Sequence, residues 1–525
     1  MFSLQSSDKC ATRFSSIVVL ILIAFIIISV IPISLYPLFG GIHILLIQKS
    51  SPPAYITSSK FLSVALDSSL IVDGFTNFNM KNKRLRTMIK NLGPGYLRIG
   101  GVMADRLKFI EGDILSVKAD VHEQDGSDCA YIRQRCVLHS NQYFTLSDKE
   151  WLGLYNLAVD AGFTILFDLN SLMRNADGSW NHKNAEEMIK FSNGNQMNVI
   201  WQLGNEPNSY RYIFNYTVTP MQLVKDFATL RNILDKYPMY RNKLLVGPDI
   251  TNPAPENSES MTYLKDFLDN SGAEVVDAIT FHQYYFNGRT ATKDDFLDPV
   301  TYNTLTAQIN LMKGIIRYYQ IKSKSLWLSE TSDAFSGGAP GYSNRYIGTF
   351  IWLDKLGIAA KLGLDIVVRQ TLFKGYYALI NTNYEPTPNY WISVLYKTFV
   401  GPEVVRCVSA SSDKVRIYCH CTNKNYKTSS ITLFGFNLKG TDTIIRLEGL
   451  KDPRDSLSTI YSYILSPYVS LYSKNVYLNG ELLALSPDGE LPYFKPIIID
   501  NEMHVIIPAH SSAFFIIPTE IVACQ

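Results

Sequence analysis

An alternation of apolar strand-like runs with helix-like stretches, between residues 61 and 372, constrains the fold of this chain more than any other feature. A strand covered on both faces reads as a nearly continuous run of Val, Ile, Leu and Phe. Eight runs have this character: Phe61–Ser68, Tyr96–Val102, Phe163–Asn170, Val199–Glu206, Lys243–Ile250, Ala278–Tyr284, Ser325–Thr331 and Asp365–Leu372. The helix-like stretches between them include Asn184–Ser192, Met221–Leu234, Tyr302–Tyr319 and Tyr346–Leu362. Eight successive β/α repeats predict an α/β protein with a (β/α)8 TIM barrel.

The ends of these runs carry polar and charged residues. They are Asp67, Arg98, Asn170, Glu206, Asp249, His282, Glu330 and Gln370. The active site of a (β/α)8 barrel lies at the C-terminal ends of its strands. The pattern therefore predicts a site at that end of the barrel.

A second domain is expected after the barrel. The chain has 525 residues, more than the roughly 250–300 at which a single core stops growing. From about Val394, short alternating runs separated by turn residues predict a C-terminal β-sandwich. We assign residues 51–393 to the barrel and 394–525 to the sandwich. Residues 103–150 are weakly patterned, which predicts an irregular excursion after the second strand.

The N-terminal segment predicts entry into the secretory pathway. Ile17–Ile33 is nearly all apolar, follows Lys9 and Arg13, and its apolar character continues to about Ile47. This run is longer than the ~7–15 residues of a signal-peptide core and approaches the ~20 of a spanning helix. Within residues 1–50, a type II transmembrane signal anchor and a long cleaved signal peptide both stay open. The body is expected to be membrane-anchored or secreted, in an extracellular or lysosomal compartment.

Charge and cysteine content narrow the function classes. The net charge is +2, from 49 basic and 47 acidic residues, which does not predict a nucleic-acid-binding protein. Six cysteines follow the apolar segment, an even number that suits disulfides, and Asn215 begins the glycosylation sequon Asn-Tyr-Thr. Cys419-His420-Cys421 alternates along one predicted strand, so we expect no metal there. We expect no cofactor.

Two carboxylates at strand ends carry the predicted chemistry. Glu206 ends the fourth run within Leu-Gly-Asn-Glu-Pro-Asn-Ser, and Glu330 ends the seventh within Leu-Trp-Leu-Ser-Glu-Thr-Ser. Strands four and seven face each other across a barrel mouth, and a retaining glycosidase needs two carboxyl groups ~5–5.5 Å apart. Glu330 is the predicted nucleophile and Glu206 the predicted general acid/base. The amide of Asn205 is placed to contact a sugar 2-hydroxyl.

Several longer stretches carry a family resemblance. They include YLRIGGVMAD, WQLGNEPNS, HQYYFNGRTATKDDFLDP, ETSDAFSGGAP and WLDKLGIAAKLGLDIVVRQ. From about Phe61 to Cys524 the chain resembles glycoside hydrolase family 79, in its animal, heparanase-type branch. The resemblance implies a retaining endo-β-glucuronidase that cleaves heparan sulfate or a related glycosaminoglycan by double displacement, in the extracellular matrix or a lysosome. The uncleaved N-terminal segment would add a membrane as a partner.

The resemblance also assigns roles residue by residue. Glu206 matches the proton donor, Glu330 the nucleophile and Asn205 the 2-hydroxyl contact. Arg98 and Tyr284 match positions that orient the nucleophile. The matches that line sugar subsites are Asp67, Gly337, Gln370 and Tyr377, where Gly337 would offer a backbone N–H to a uronate carboxylate. Cys421 and Cys524 match a family disulfide, and Cys129 with Cys136 and Cys407 with Cys419 are candidate further pairs.

Departures from the family pattern leave alternatives open. The basic clusters that grip sulfate groups are reduced: residues 251–256 contain no Arg or Lys, and Tyr212 follows Arg211 where a Lys is expected. Fewer cations weaken capture of a sulfated chain. A β-glucuronidase acting on glycans with little or no sulfate is therefore one alternative, and a non-catalytic heparan-sulfate-binding relative is another.

Overall fold

The structure is a computed structural model that describes residues 39–112, 143–254, 258–321, 324–409, 413–426, 429–450, 459–499 and 504–525. The predicted signal anchor or signal peptide before residue 39 lies outside the described residues, as do Cys129 and Cys136. Within these ranges, every helix is too short or too polar to span a membrane.

The strands are β1 (Phe39–Ile47), β2 (Tyr55–Ile56), β3 (Leu62–Asp67), β4 (Gly95–Gly100), β5 (Leu107–Ile110), β6 (Phe144–Ser147), β7 (Phe163–Leu169), β8 (Val199–Leu203), β9 (Leu245–Ile250), β10 (Ala278–Gln283), β11 (Phe286–Asn287), β12 (Ser325–Thr331), β13 (Ala334–Phe335), β14 (Ile366–Arg369), β15 (Val400–Val404), β16 (Cys407–Ser409), β17 (Val415–Thr422), β18 (Ser430–Asn437), β19 (Asp442–Glu448), β20 (Ile460–Pro467), β21 (Val476–Leu478), β22 (Glu481–Leu482), β23 (Ile497–Ile499), β24 (His504–Ile507) and β25 (Ser511–Pro518). The helices are α1 (Ser69–Val72), α2 (Lys83–Lys90), α3 (Asp148–Asp160), α4 (Lys183–Gly194), α5 (Tyr210–Ile213), α6 (Pro220–Asp235), α7 (Ser258–Asp269), α8 (Gly272–Val275), α9 (Lys293–Leu297), α10 (Pro299–Tyr318), α11 (Gly348–Lys361) and α12 (Pro388–Phe399). Short 3-10 turns cover Val102–Arg106, Pro207–Ser209 and Val522–Cys524.

Eight parallel strands close into a barrel in the order β3-β4-β7-β8-β9-β10-β12-β14, with β14 pairing back to β3. Each of the eight predicted runs overlaps one of these strands, so the predicted (β/α)8 barrel is confirmed. The barrel interior is filled by a layer of buried side chains from all eight strands, with Tyr96 and Trp327 stacked at a ring distance of 5.2 Å. The barrel is therefore a packed core, and its polar strand ends lie at one mouth.

The C-terminal strands, together with β1 and β2, form two further sheets, which make up the β domain. Nine strands make the larger sheet, built around β17, β18, β25 and β20, and the smaller has the order β16-β1-β19-β24. Apolar residues of both sheets share one core, including Leu45, Ile445 and Phe515. The other face of the larger sheet packs on the barrel, where β17 and β18 contact α11. Helix α11 is consequently buried on every side.

Strand β1 corrects the predicted extent of the N-terminal apolar segment. It pairs in parallel with β19 and antiparallel with β16. Its side chains alternate: Leu45 and Ile47 are buried, whereas Ile44 and Leu46 are exposed. Residues 39–47 therefore belong to the sheet with β16 and β19 and not to the N-terminal segment that the sequence places in residues 1–50. Hydropathy alone does not separate an apolar strand from the end of an apolar helix. The sequence-based boundary at residue 394 also falls inside α12, which continues to Phe399.

The excursion after the second barrel strand is ordered at both ends. Residues 107–110 form β5, which pairs in parallel with β6. Helix α3 then begins at a capping box, in which Ser147 and Glu150 satisfy each other's backbone N–H groups. The prediction of an irregular segment was therefore wrong for these two strands, which are too short to show a period, and residues 113–142 lie outside the described part.

Two disulfides cross-link the β domain. Cys421 on β17 is bonded to Cys524 near the C-terminus, with a Cα–Cα distance of 5.5 Å. Cys407 on β16 is bonded to Cys419 on β17, which connects the two sheets. Asn215 is exposed, as a glycosylation acceptor must be.

Candidate active site

Glu206 and Glu330 meet at the C-terminal mouth of the barrel. Glu206 follows β8, and Glu330 is the second-to-last residue of β12. A carboxylate oxygen of each and a ring nitrogen of His282 all lie within 4.8 Å of one another. This separation fits the ~5–5.5 Å of a retaining pair and is shorter than the ~6.5–9.5 Å that an inverting pair needs for its water.

The backbone at Glu206 holds its side chain in an unusual direction. Its φ of 56° and ψ of 54° are left-handed, a conformation that is uncommon for residues other than glycine and is often found at active sites. The conformation is supported on both sides: the Glu206 N–H donates to the Asp249 carbonyl, and Gly204 has a φ of 79°. A Cβ on Gly204 would lie 2.5 Å from the Tyr210 hydroxyl oxygen. The backbone of the Leu-Gly-Asn-Glu-Pro segment is therefore held in one conformation where it leaves the barrel, and this conformation sets the direction of the Glu206 side chain.

Both carboxylate oxygens of Glu330 are held by hydrogen bonds. Arg98 Nη1 donates to Oε2 at 2.7 Å, and the Tyr284 hydroxyl donates to Oε1 at 2.7 Å. Glu330 is buried, with 7% of its surface exposed. A nucleophile held this way is fixed in direction before substrate arrives.

Arg98 is the centre of a larger buried network. It donates to Asp249 Oδ2 at 2.8 Å, to Asn205 Oδ1 at 2.9 Å and to Gln202 Oε1 at 3.1 Å. Although burial lowers the pKa of Arg98, the charges of Asp249 and Glu330 raise it above its ordinary value. Burial alone would likewise raise the pKa of Asp249, but the charges of His282 and Arg98 hold it below its usual range. Arg98 also orients Asn205, whose carbonyl it occupies while the amide N–H groups stay available as donors.

His282 connects the two halves of the site. Its Nδ1 lies 2.8 Å from Glu206 Oε1, and its Nε2 lies 3.2 Å from Asp249 Oδ2. Burial lowers the pKa of His282, but the charges of Asp249 and Glu330 outweigh this effect and raise the pKa to about 10. The ring is therefore an imidazolium that donates to Glu206 and fixes its direction.

This raised pKa makes a prediction about stability. A histidine whose pKa rises on folding contributes stability fully below its unfolded value, near 6.5, and loses it as the pH rises through about 10. We expect the difference in unfolding free energy between wild type and His282→Gln to be largest at pH 6 and to shrink steadily towards pH 9.5. Urea denaturation at several pH values measures it, with the half-exposed His182→Gln as the matched control. A difference independent of pH would contradict the assignment.

The predicted subsite residues surround this centre. Asp67 accepts hydrogen bonds from Gln370 Nε2 at 2.7 Å and from the Ser69 N–H at 2.9 Å. Burial raises the pKa of Asp67, and the Glu330 charge adds to the rise. Gly101 must lack a side chain because a Cβ there would lie 2.7 Å from Asp67 Oδ2. Asp67 and Gln370 thus form one polar wall beside the nucleophile.

Gly337 lies on the loop that follows β13. Its φ is +84°, a Cβ added to it would meet no described atom within 4 Å, and its carbonyl accepts the Tyr376 N–H at 2.8 Å. The next residue, Gly338, would place a Cβ 2.7 Å from the Tyr377 nitrogen. The loop is therefore pressed against the segment that carries Tyr377, which is itself close enough to Asp67 and Glu330 for their charges to raise its pKa beyond the effect of burial.

Sequence reasoning gave no role to four buried residues of this centre. Asp249 and His282 were recognised only as polar strand ends. Asp168 lies 3.4 Å from Arg98. Asp105 accepts the Asn205 N–H at 3.0 Å and the Tyr210 hydroxyl at 2.8 Å. The polar character of the strand ends was the one signal for Asp249 and His282, whereas no sequence pattern pointed to Asp105.

The arrangement is better suited to proton transfer than to metal binding. Among the described residues, Glu206, His282 and Glu330 have the mutual spacing of metal ligands. However, both ring nitrogens of His282 already lie against carboxylate oxygens of Glu206 and Asp249. Arg98 is already paired with Glu330. At Cys419 and Cys421, the second candidate, both sulfurs are in disulfides.

Three cations in segments that follow barrel strands are paired with carboxylates of the protein. The pairs are Arg174 with Asp226 (2.5 Å), Arg211 with Glu259 (3.2 Å) and Lys374 with Asp73. The Arg211 guanidinium also stacks on the Tyr212 ring at 4.6 Å. These charges are thus largely balanced within the protein.

A pair of carboxylates at this spacing, at the mouth of a (β/α)8 barrel, is the arrangement that glycoside hydrolases use. The model of the glycosyl hydrolase family 79 N-terminal domain matches residues 67–357. The chain is 34% identical to a heparanase of Gallus gallus over 89% of this chain and 93% of that protein. It is 32% identical to a hyaluronoglucuronidase of Hirudo nipponia, over 83% and 90% of the two chains. The chain belongs to glycoside hydrolase family 79, and the family resemblance is confirmed.

Two further comparisons show what sequence or structural similarity alone can establish about function. The chain is 33% identical to an inactive heparanase-2 of Mus musculus, over 90% of this chain and 88% of that protein. A structure of a 4-O-α-L-rhamnosyl-β-D-glucuronidase from Fusarium oxysporum has a TM-score of 0.64 at 15% identity, over 90% and 99% of the two chains, which shows the shared fold. Because relatives of similar identity include an inactive one, the function has to be inferred from the geometry of the site.

Proposed function

We propose that this chain is a retaining endo-β-glucuronidase that hydrolyses internal glucuronidic linkages of heparan sulfate-type glycosaminoglycans. The observation that carries the proposal is the pair of carboxylates with oxygens within 4.8 Å, one of them held at both oxygens by Arg98 and Tyr284. A binding protein has no need of a buried, fully oriented nucleophile, and such an arrangement costs stability through desolvation. The non-catalytic alternative is therefore disfavoured.

The chemistry follows as a double displacement. Glu330 attacks the anomeric carbon while Glu206 protonates the departing glycosidic oxygen, which forms a covalent glycosyl-enzyme. Glu206 then accepts a proton from water, the water oxygen attacks the anomeric carbon, and Glu330 is released. His282 holds the Glu206 carboxyl group in a fixed direction. In the first step this direction is towards the glycosidic oxygen, and in the second step it is towards the attacking water. Asn205 is oriented by Arg98 for the 2-hydroxyl, where hydrogen bonds strengthen in the transition state.

A second candidate substrate contains little or no sulfate. The pairing of Arg174, Arg211 and Lys374 with carboxylates favours a uronate polymer with little or no sulfate, because each pairing already uses part of the cation's charge and some of its hydrogen-bond donors. The name of the Hirudo nipponia relative indicates an unsulfated substrate for that protein. Heparan sulfate regions of low sulfation satisfy both observations.

Digestion of defined polymers tests the proposal. The full-length chain, purified in mild detergent, is incubated near pH 5 with heparan sulfate, unsulfated heparosan or hyaluronan, and product size is measured by gel filtration. We expect fragments of intermediate size, a β-configured first product by NMR, and none from Glu330→Gln. If unsulfated polymer is preferred and cleavage changes little between about 50 and 300 mM salt, the second candidate is supported. Intact polymer in every reaction would refute the enzymatic proposal.

We also propose that the body of the chain lies in the secretory pathway, membrane-anchored if the N-terminal segment stays uncleaved. The two disulfides and the exposed Asn215 sequon support this placement. A mobility shift on treatment with an N-glycosidase, lost in Asn215→Gln, is the measurement that checks it.

A further inference from the structure

Lys355 is a buried lysine directly behind the catalytic strand ends. It lies in the middle of α11 with none of its surface exposed. The preceding residue, Asp354, points to the β domain, where it accepts a hydrogen bond from the Tyr418 hydroxyl at 2.6 Å. The β domain therefore covers α11, and Lys355 faces the barrel without access to water. Burial of a lysine is costly unless its amino group is fully hydrogen-bonded.

The amino group of Lys355 bonds to three oxygens, all of them at two strand ends. It donates to the Ser332 carbonyl at 2.8 Å, to Thr331 Oγ1 and to Gln283 Oε1. It also lies 4.4 Å above the Tyr285 ring. Thr331 and Ser332 directly follow the nucleophile in the chain, and Gln283 directly follows His282. One side chain thus links the end of β12 to the end of β10.

Ordinary strand pairing is interrupted at this point. Along β10 and β12, Phe281 pairs with Leu328 but His282 pairs with Glu330, so Ser329 is an extra residue. The pairing of β12 with β14 also shifts register between Leu328 and Thr331. A bulge of this kind redirects a side chain and leaves part of the ladder unpaired. The direction of Glu330 is therefore set by contacts other than the regular ladder.

Lys355 has charged neighbours of both signs. Burial lowers the pKa of Lys355 well below its ordinary value, Arg369 lowers it further, and Asp333 and Asp354 act in the opposite direction. A neutral amine would still donate its two N–H groups to the Ser332 carbonyl and to Gln283 Oε1, whereas the Thr331 hydroxyl already donates to the Gln283 carbonyl. The two bonds that join the ends of β10 and β12 thus persist with or without the charge, which favours a geometric role over an electrostatic one.

We propose that Lys355 is a positioning residue for catalysis, which holds the ends of β10 and β12 together across the bulge so that Glu330 and His282 keep their directions. The inference rests on the proposed retaining mechanism. Lys355 touches neither substrate nor the reacting atoms. It acts through Thr331, Ser332 and Gln283.

Covalent trapping of the nucleophile isolates this effect. A 2-deoxy-2-fluoro-β-glucuronosyl fluoride that carries N-acetylglucosamine at its 4-position loses fluoride without needing a proton, so its labelling rate reports on Glu330 and not on Glu206. We expect Lys355→Met to lower the maximal labelling rate about 10–100-fold, the size expected for a small displacement of a reacting group. The inhibitor concentration for half-maximal rate should change little. Mass spectrometry of the Glu330 peptide measures the adduct.

Two further variants make the test decisive. Lys361→Met, an exposed lysine on the same helix, should label within about twofold of wild type. Thr331→Val removes one hydrogen-bond partner of Lys355 while Lys355 itself remains. In the double variant with Lys355→Met, the loss of labelling rate should be smaller than the two single losses added as free energies. Full labelling rates in folded Lys355→Met, or in Thr331→Val if the first variant does not fold, would overturn the proposal, as would strictly additive effects. No labelling of wild type would overturn the proposed function itself, and this role with it.

Discussion

Replacement of Glu330 by Gln is expected to reduce hydrolysis by roughly 10⁴-fold or more on every substrate, because no other described group of the site can form the glycosyl-enzyme. Glu206→Gln should differ in a diagnostic way. It should lose about 10²–10⁴-fold on a natural glycan, whose leaving oxygen needs a proton. With an aryl glucuronide that has a highly acidic phenol as leaving group, the first step should be nearly unchanged, and a glycosyl-enzyme should accumulate.

Pre-steady-state measurement of phenol release separates the two carboxylates. We expect a burst followed by slow turnover for Glu206→Gln, which added azide should accelerate by attacking the intermediate without a base. Glu330→Gln should show neither burst nor azide rescue. Glu481→Gln, an exposed carboxylate on β22 of the β domain, should behave as wild type. A burst that survives in Glu330→Gln would show that the roles are reversed or misassigned.

Replacement of Arg98 by Gln is expected to lower the free energy of unfolding by about 3–5 kcal/mol, since it removes the cation that pairs with both of the buried carboxylates Asp249 and Glu330. Arg98→Lys should restore part of that stability while keeping activity low. A lysine supplies the charge, but its amino group cannot donate hydrogen bonds to Glu330, Asp249 and Asn205 at the same time, as the planar guanidinium group does. The loss of orientation should lower kcat about 10²-fold in the lysine variant.

Chemical denaturation and steady-state kinetics on the same preparations measure both effects. Arg86→Gln is the matched control because Arg86 forms a surface ion pair with Asp160, which is worth only about 0–1 kcal/mol. Equal losses of stability in the Arg98 and Arg86 variants would contradict the role of Arg98 as the shared counter-charge. Full activity in a folded Arg98→Lys would show that charge alone suffices to hold Glu330.

Much of the barrel and the centre of the site could be predicted from local patterns. Strands β8 and β12 are apolar because both of their faces are covered, and each leads directly to a carboxylate. Strand β1 could not be predicted in the same way. Its residues look like the continuation of an apolar helix, and only their pairing with β19, about 400 residues later, shows the two-residue period that matters. The contacts around Glu206 could not be predicted from the sequence either. Asp105 lies about a hundred residues before Asn205, and the two residues come into contact only when the chain folds.

The sequence by itself determined the order of β/α units, the residues at the strand ends and the family to which the chain belongs. These properties are local, because burial on both faces imposes a run of apolar residues and a parallel barrel places every strand end at one mouth. The tertiary structure alone decided which charged groups touch. His282 as a partner of Glu206, Arg98 as the shared donor and Lys355 behind the bulge all depend on distances across the barrel, which closure and register set. Hydrogen bonds and pKa values respond to such distances, and spacing along the chain does not encode them.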